Sequence, residues 1–147
     1  MHISVVITCH NEEAYIEQCV NSVVTQSDYQ DIKEIFVVDD GSTDNSPKLL
    51  AQLKLNCDKL KVITTKGLGL PAARNIAIKS ASSEFIAFLD ADDFWTKNKL
   101  QNQLKAFKNN PLIGLVYGDI WDFKKSDASD AKYISVRSLN RFHTNQL

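Results

Sequence analysis

A chain of 147 residues that is 44% apolar, with five glycines and three prolines, is long enough to bury one hydrophobic core and is expected to form a single soluble domain. Its net charge of −1, without a basic run or an aromatic-basic stripe, excludes nucleic acid as the expected partner. Its three cysteines show no CxxC or His-paired metal spacing and fit reduced thiols in a cytoplasmic setting, with Cys9 and Cys19 filling core positions.

The opening "MHISVVITCHNEE" turns polar after about seven residues, too soon for the apolar stretch of a signal peptide. Its run "ISVVIT" (residues 3–8) is short, rich in β-branched residues and too continuous for a one-sided strand, so it reads as a buried parallel strand. In "AYIEQCVNSVVTQ", Ile16, Cys19, Val20, Val23 and Val24 recur on one helical face, which makes a crossover helix. A second buried strand follows in "EIFVVD" (34–39), and "SPKLLAQLK" opens a helix with Ser46 as cap and Pro47 in its first turn. The alternation continues through a strand "LKVITT" (60–65), a helix "PAARNIAIKSA", a strand "FIAFLD" (85–90) and a helix "TKNKLQNQLKAFKNN" capped by Thr96, with Leu100, Leu104 and Phe107 inward. A fifth strand is expected in "LIGLVYG" (112–118). The rhythm weakens over residues 119–147, an irregular tail with one further strand expected in "YISVRSL". The pattern is that of an α/β protein with a Rossmann-like, mostly parallel sheet and helices on both faces. No segment approaches the roughly 20 apolar residues of a membrane span.

Ligands of such sheets sit beyond the carboxyl ends of the strands. Those ends carry Thr8, Cys9, His10, Asn11 and Glu12 after the first strand, Asp39, Asp40, Gly41 and Ser42 after the second, and Asp90, Asp92 and Asp93 after the fourth. Asp39 to Ser42 is equally well a turn with a helix cap. The acids around Ala91 are harder to read as structure, because like charges this close raise each other's proton affinity unless a cation or donors offset them. In an extended segment Asp90 and Asp92 share a side. Mg²⁺ or Mn²⁺ held by one or two carboxylates, with its other positions on water and phosphate oxygens, answers that charge. Arg74, at the start of the helix before the acidic strand, is placed to orient the aspartates or to reach a nucleotide; in isolation it is a surface arginine. His10 alone is a loop residue, and Trp95 and Trp121 are packing residues at the domain edge, the latter a weaker candidate for facing a sugar.

Taken in order, "ISVVITCHNEEAYIEQCVNSVVTQ", "FVVDDGSTDNS", "GLPAARNIAI" and "FIAFLDADDFWTKNKL" resemble the amino-terminal, donor-binding part of a family-2 glycosyltransferase of the GT-A fold, from Ile3 to about Gly118. The resemblance implies an inverting transferase that moves a sugar from a nucleotide diphosphate sugar, commonly a UDP sugar, to a hydroxyl of a glycan or other acceptor. By position it implies that Thr8 and His10 line the nucleotide, Asp40 with Asp39 beside it contacts the uracil, Arg74 approaches the nucleotide or the aspartates, and Asp90 meets the ribose. Asp92, closing a DxD motif, ligates Mn²⁺ or Mg²⁺ together with Asp90. Thr8 and His10 depart from the proline and tyrosine usual in the family, which bears on nucleotide preference.

The family's catalytic base lies well past the DxD motif, and no equivalent motif is found before Leu147; Asp119, Asp122, Asp127 and Asp130 are unconvincing substitutes. The catalytic residue is therefore unassigned, and the expectation is one nucleotide-sugar-binding domain over 1–147 that lacks its acceptor side. It is placed in the cytoplasm or at the inner face of a membrane, where it relates to polysaccharide biosynthesis. The alternative is a non-catalytic nucleotide-sugar-binding fragment or scaffold. A nucleotidyltransferase would need a Gly-rich basic loop where "TCHNEEAY" stands, and a phosphoacceptor receiver domain an acidic pair closing the first strand.

Overall fold

The computed structural model describes residues 1–118, 120–122 and 132–134. It divides into two compact units, Met1–Leu100 and Gln101–Leu147. In the first, β1 (Ile3–Cys9), β2 (Ile32–Asp39), β3 (Leu60–Thr64) and β4 (Phe85–Asp90) form one parallel sheet in the order β3-β2-β1-β4. Between them run α1 (Ile16–Val24), α2 (Ser46–Leu55) and α3 (Leu70–Ser80), while α4 (Lys99–Asn109) starts at the end of the unit.

Every residue of β1 is buried, as a central strand covered on both faces must be. Alternation along the strands sends Val6, Phe36 and Val38 to the face where Ala73 and Ala77 of α3 close over them, with Ile63 and Ile86 at the margin. Val5, Ile7, Ile35 and Val37 point to the opposite face and are fully buried. The predicted stripe of α1 is there: Ile16, Cys19, Val20 and Val23 are buried, and α1 packs with α2. Each such side chain removed from water contributes about 1.5–3 kcal/mol, which holds the helices to the sheet.

In strand order, the chain steps from β1 outward to β2 and β3, then returns to place β4 on the other side of β1. The carboxyl ends of β1 and β4 thus flank the switch point, where α/β sheets open a crevice. The register aligns the polar residues found there: Thr8 is opposite Asp90 and Val38, and Cys9 opposite Asp39.

The expected fifth strand does not form. Residues 113–118 have no regular structure, and Leu112 and Leu115 are each 77% exposed. A continuous apolar run specifies a strand only where a neighbour supplies its ladder, and Gly114 and Gly118 weaken this one further. In the second unit, β5 (Ile120–Asp122) pairs antiparallel with β6 (Lys132–Ile134), which overlaps the predicted tail strand at Tyr133 and Ile134. Residues 135–139 of that strand, the side chain of Trp121, and Asp119, Asp127 and Asp130 lie outside the described residues. Among the described residues no helix is long and apolar enough to cross a membrane.

Candidate active site

Loops leaving β1, β2 and β4 meet the start of α3 around an open cleft of about 280 Å³, lined by residues that include Thr8, His10, Glu12, Asp40, Asp90 and Asp92. Five of the residues predicted from sequence are therefore brought together. Arg74 is one step behind the wall: its guanidinium donates to Asp90 Oδ1 and forms a salt bridge with it. This contact is the one that the first of the two roles open to Arg74, orienting an aspartate, requires. Thr8 Oγ1 donates to the same oxygen at 3.4 Å, and among the described residues no hydrogen bond reaches Asp90 Oδ2.

Asp39 does not line the cleft. It is 1% exposed, and its Oδ1 accepts the Ser42 amide at 3.1 Å, closing the turn after β2. Asp40 does face the cleft, and its carboxylate is already engaged: Oδ1 accepts from Thr65 Oγ1 and from the Leu68 amide at 2.7 Å, and Oδ2 from the Gly69 amide at 2.7 Å. The Thr65 hydroxyl first, then the Leu68 and Gly69 amides, hold its proton affinity below the usual carboxylate range, so it is charged. Those bonds pull residues 65–69 against the β2 turn. A Cβ on Gly41, which has φ +77°, would lie 3.0 Å from the Gly67 nitrogen, so this approach requires glycine.

Beyond β4 the chain turns rather than extends. The Asp93 amide bonds to the Asp90 carbonyl at 3.0 Å and the Ala91 amide to the Thr8 carbonyl at 3.2 Å. The premise that Asp90 and Asp92 share a side of an extended strand thus fails, yet the turn still delivers both to the cleft. Asp92 and Asp93 are exposed and take part in no salt bridge among the described residues. Burial, then Asp92 and Asp90, raise the proton affinity of Asp93; burial, then Asp92 and Asp44, raise that of Glu12. Glu12, absent from the predicted site, is thus a wall residue of the cleft, and its place after β1 was the available signal. Cys9 and Cys19 fill the core as expected, with burial pushing both thiols up; Cys9 also lines the cleft, and Cys19 Sγ lies 3.5 Å from the Asp90 carbonyl.

Among the described residues no three His, Cys, Asp or Glu side chains are arranged to hold a metal ion. The donor set fits a different kind of site: one or two carboxylates at the wall of an open cleft, as suits a hard cation that keeps water and phosphate oxygens as its other ligands.

The profile described as "Glycosyl transferase family 2" matches residues 4–146. An Escherichia coli enzyme named UDP-Glc:alpha-D-GlcNAc-diphosphoundecaprenol beta-1,3-glucosyltransferase is 38% identical over 139 residues, covering 93% of this chain and 52% of its own. A Nostoc protein named an uncharacterized glycosyltransferase is 41% identical over 118 residues, 80% of this chain and 36% of its own. Among solved structures, Staphylococcus aureus TarS in complex with UDP-GlcNAc superposes with a TM-score of 0.68 at 32% identity, over 76% of this chain and 32% of that one. A Pyrobaculum calidifontis mannosyltransferase in complex with GDP-Man and Mn²⁺ gives a TM-score of 0.70 at 26% identity, over 77% and 34%. The chain thus spans about a third to a half of the length of these relatives. Its sheet, its cleft at the β1/β4 switch point and the family match agree: the chain belongs to glycosyl transferase family 2.

Proposed function

We propose that the chain is the donor-binding part of an inverting glycosyltransferase that uses a UDP sugar and a divalent cation and delivers the sugar to a hydroxyl acceptor. The observation that carries this reading is the pairing of opposites at one cleft: Asp90 is compensated by Arg74, while Asp92 beside it has no cationic partner among the described residues.

A diphosphate entering this cleft needs positive charge. The Asn45 amide before α2 and the Ser46 amide at its start donate to Glu13 and Asp44, and the loop into α3 donates its Leu68 and Gly69 amides to Asp40. Protein carboxylates thus already take amides on both approaches, and a cation would supply the charge that a diphosphate needs. Asp92, with Asp90 Oδ2, would hold Mn²⁺ or Mg²⁺ against the diphosphate. When bound, such a cation neutralises the charge that grows on the departing nucleoside diphosphate. The chain's own residues orient the donor: Arg74 and Thr8 fix Asp90 toward the ribose, and Asp40 receives the base. A carboxylate has about four acceptor sites, and three donors occupy Asp40, so one site is left for the N3–H of uracil. Names of relatives include a minor teichoic acid biosynthesis protein, which favours a cell-envelope glycan as acceptor and work at a membrane surface.

Nucleobase preference tests the reading. With Mn²⁺ present, UDP is expected to bind at least about ten-fold more tightly than CDP, whose N3 is an acceptor facing a charged acceptor. Equal affinity for the two would contradict the placement of the base against Asp40.

A further inference from the structure

We propose that Asn11 is a positioning residue that holds His10 as the neutral imidazole protonated on Nδ1, with its ring fixed at the wall of the cleft. The premise is a chain of three hydrogen bonds whose directions admit one assignment; the consequence rests on the donor-binding reading above.

The chain starts at Thr43, whose backbone N–H can only donate. It meets the Asn11 side chain at 2.7 Å, and the Thr43 hydroxyl approaches the same atom at 3.3 Å, so that atom is Oδ1. Fixing Oδ1 turns Nδ2, which can only donate, toward His10 Nε2 at 3.2 Å. Nε2 therefore accepts and carries no proton. On the other side of the ring, Nδ1 lies 2.8 Å from the Asp40 carbonyl oxygen, an acceptor, so Nδ1 carries the proton. With both in-plane nitrogens bonded, rotation of the ring breaks two hydrogen bonds, and what His10 has left for a ligand is its uncharged face.

The backbone shows that this is more than a convenient contact. Among the described residues Asn11 is the non-glycine residue with positive φ, at 59°, a conformation asparagine tolerates better than most, and its own N–H is held by Ser42 Oγ at 2.9 Å. Its amide is thereby fixed between Thr43 and the His10 ring.

Two variants separate the role from simple packing. Asn11→Asp keeps the shape and still accepts from Thr43, but presents an acceptor to Nε2. Asn11→Gly relieves the backbone and removes the amide. In ¹⁵N spectra of the ligand-free parent, His10 is expected to show a protonated Nδ1 and an unprotonated Nε2 at neutral pH. Asn11→Asp is expected to protonate both nitrogens, and Asn11→Gly to give a mixture of tautomers. In calorimetry with Mn²⁺, Asn11→Gly should weaken UDP binding roughly three- to ten-fold, the cost of ordering one ring, without lowering the melting temperature. A parent ring protonated on Nε2, or Asn11→Gly with unchanged nitrogen shifts and UDP affinity, would overturn the proposal. Absence of UDP binding by a parent with the stated tautomer would instead overturn the donor reading, and Asn11's role with it, while the hydrogen-bond premise stood.

Discussion

The two ends of the sheet both carry acids, and they are treated in opposite ways. At the amino end Glu34 is 3% exposed and surrounded by donors: Ser4 Oγ, the Ser82 amide and the Ser82 hydroxyl, each at 2.8 Å, and Lys61 Nζ at 2.7 Å. Burial works to raise this carboxyl, but the bonds from Lys61, Ser82 and Ser4 outweigh it, and it titrates at about 2. At the carboxyl end Asp92 and Asp93 are exposed, without salt bridges among the described residues, and burial with the neighbouring Asp92 and Asp90 pushes Asp93 toward protonation. An acid that ties β1, β2, β3 and the loop before β4 together is supplied with its partners by the fold. In the proposed reading, the acids beyond β4 would instead be completed by a cation and a diphosphate that bind there.

Substitutions at the two ends should therefore separate stability from binding. Glu34→Ala is expected to have the largest effect: it strands buried Ser4 and the Ser82 amide and costs about 3 kcal/mol in urea unfolding, with nucleotide affinity retained in the folded fraction. A cost below about 1 kcal/mol would erase the contrast. The same group sets an acid limit. Its folded value lies below the ordinary 4.5, so its contribution is complete above that value and is lost as pH falls toward about 2. Because Lys61 is 54% exposed, about 2 kcal/mol is expected to disappear over that window, and the loss should be absent from Glu34→Gln.

Asp92→Asn should behave in the opposite manner. Unfolding free energy should stay within about 0.5 kcal/mol of the parent, while UDP affinity in Mn²⁺ should fall at least about ten-fold. Between these, Gly41→Ala should cost about 1–2 kcal/mol and weaken UDP binding, since its Cβ presses on the Gly67 nitrogen that borders Asp40's loop. The last effect is expected at Lys99, whose ammonium lies 3.6 Å from the Trp95 ring and is lowered to about 8 by burial. A folded value below the ordinary 10.5 means that stability rises as pH passes from about 8 toward 10.5, and Lys99→Met should flatten that rise.

Sequence pattern revealed what burial alone dictates. The first four strands fall within two residues of their predicted ends because their apolar runs are covered on both faces. The same logic failed at residues 112–118, where composition suits a strand and the ladder partner is missing among the described residues. Site legibility follows a similar division. Asp90 and Asp92 stand out because clustered charge is anomalous in any sequence, whereas Asp39 and Asp40 differ only in which way a turn points them. Glu34 and Asn11 were invisible as functional or structural anchors, because their partners Ser82, Lys61 and Thr43 are 27 to 48 residues away and become neighbours only in the fold. Arg74 could be placed near the aspartates by position, but its pairing with Asp90 arises only where the fold brings α3 to the end of β4.

The central claim is that the acids beyond β4 are completed by a divalent cation and a diphosphate together. Calorimetric titration of UDP into the protein, with Mn²⁺ and then with excess chelator, measures this most directly. Cooperative binding is predicted: Mn²⁺ alone weak, UDP alone weak, and each tightening the other by the same factor of about ten or more. UDP affinity unchanged by the chelator would contradict the claim.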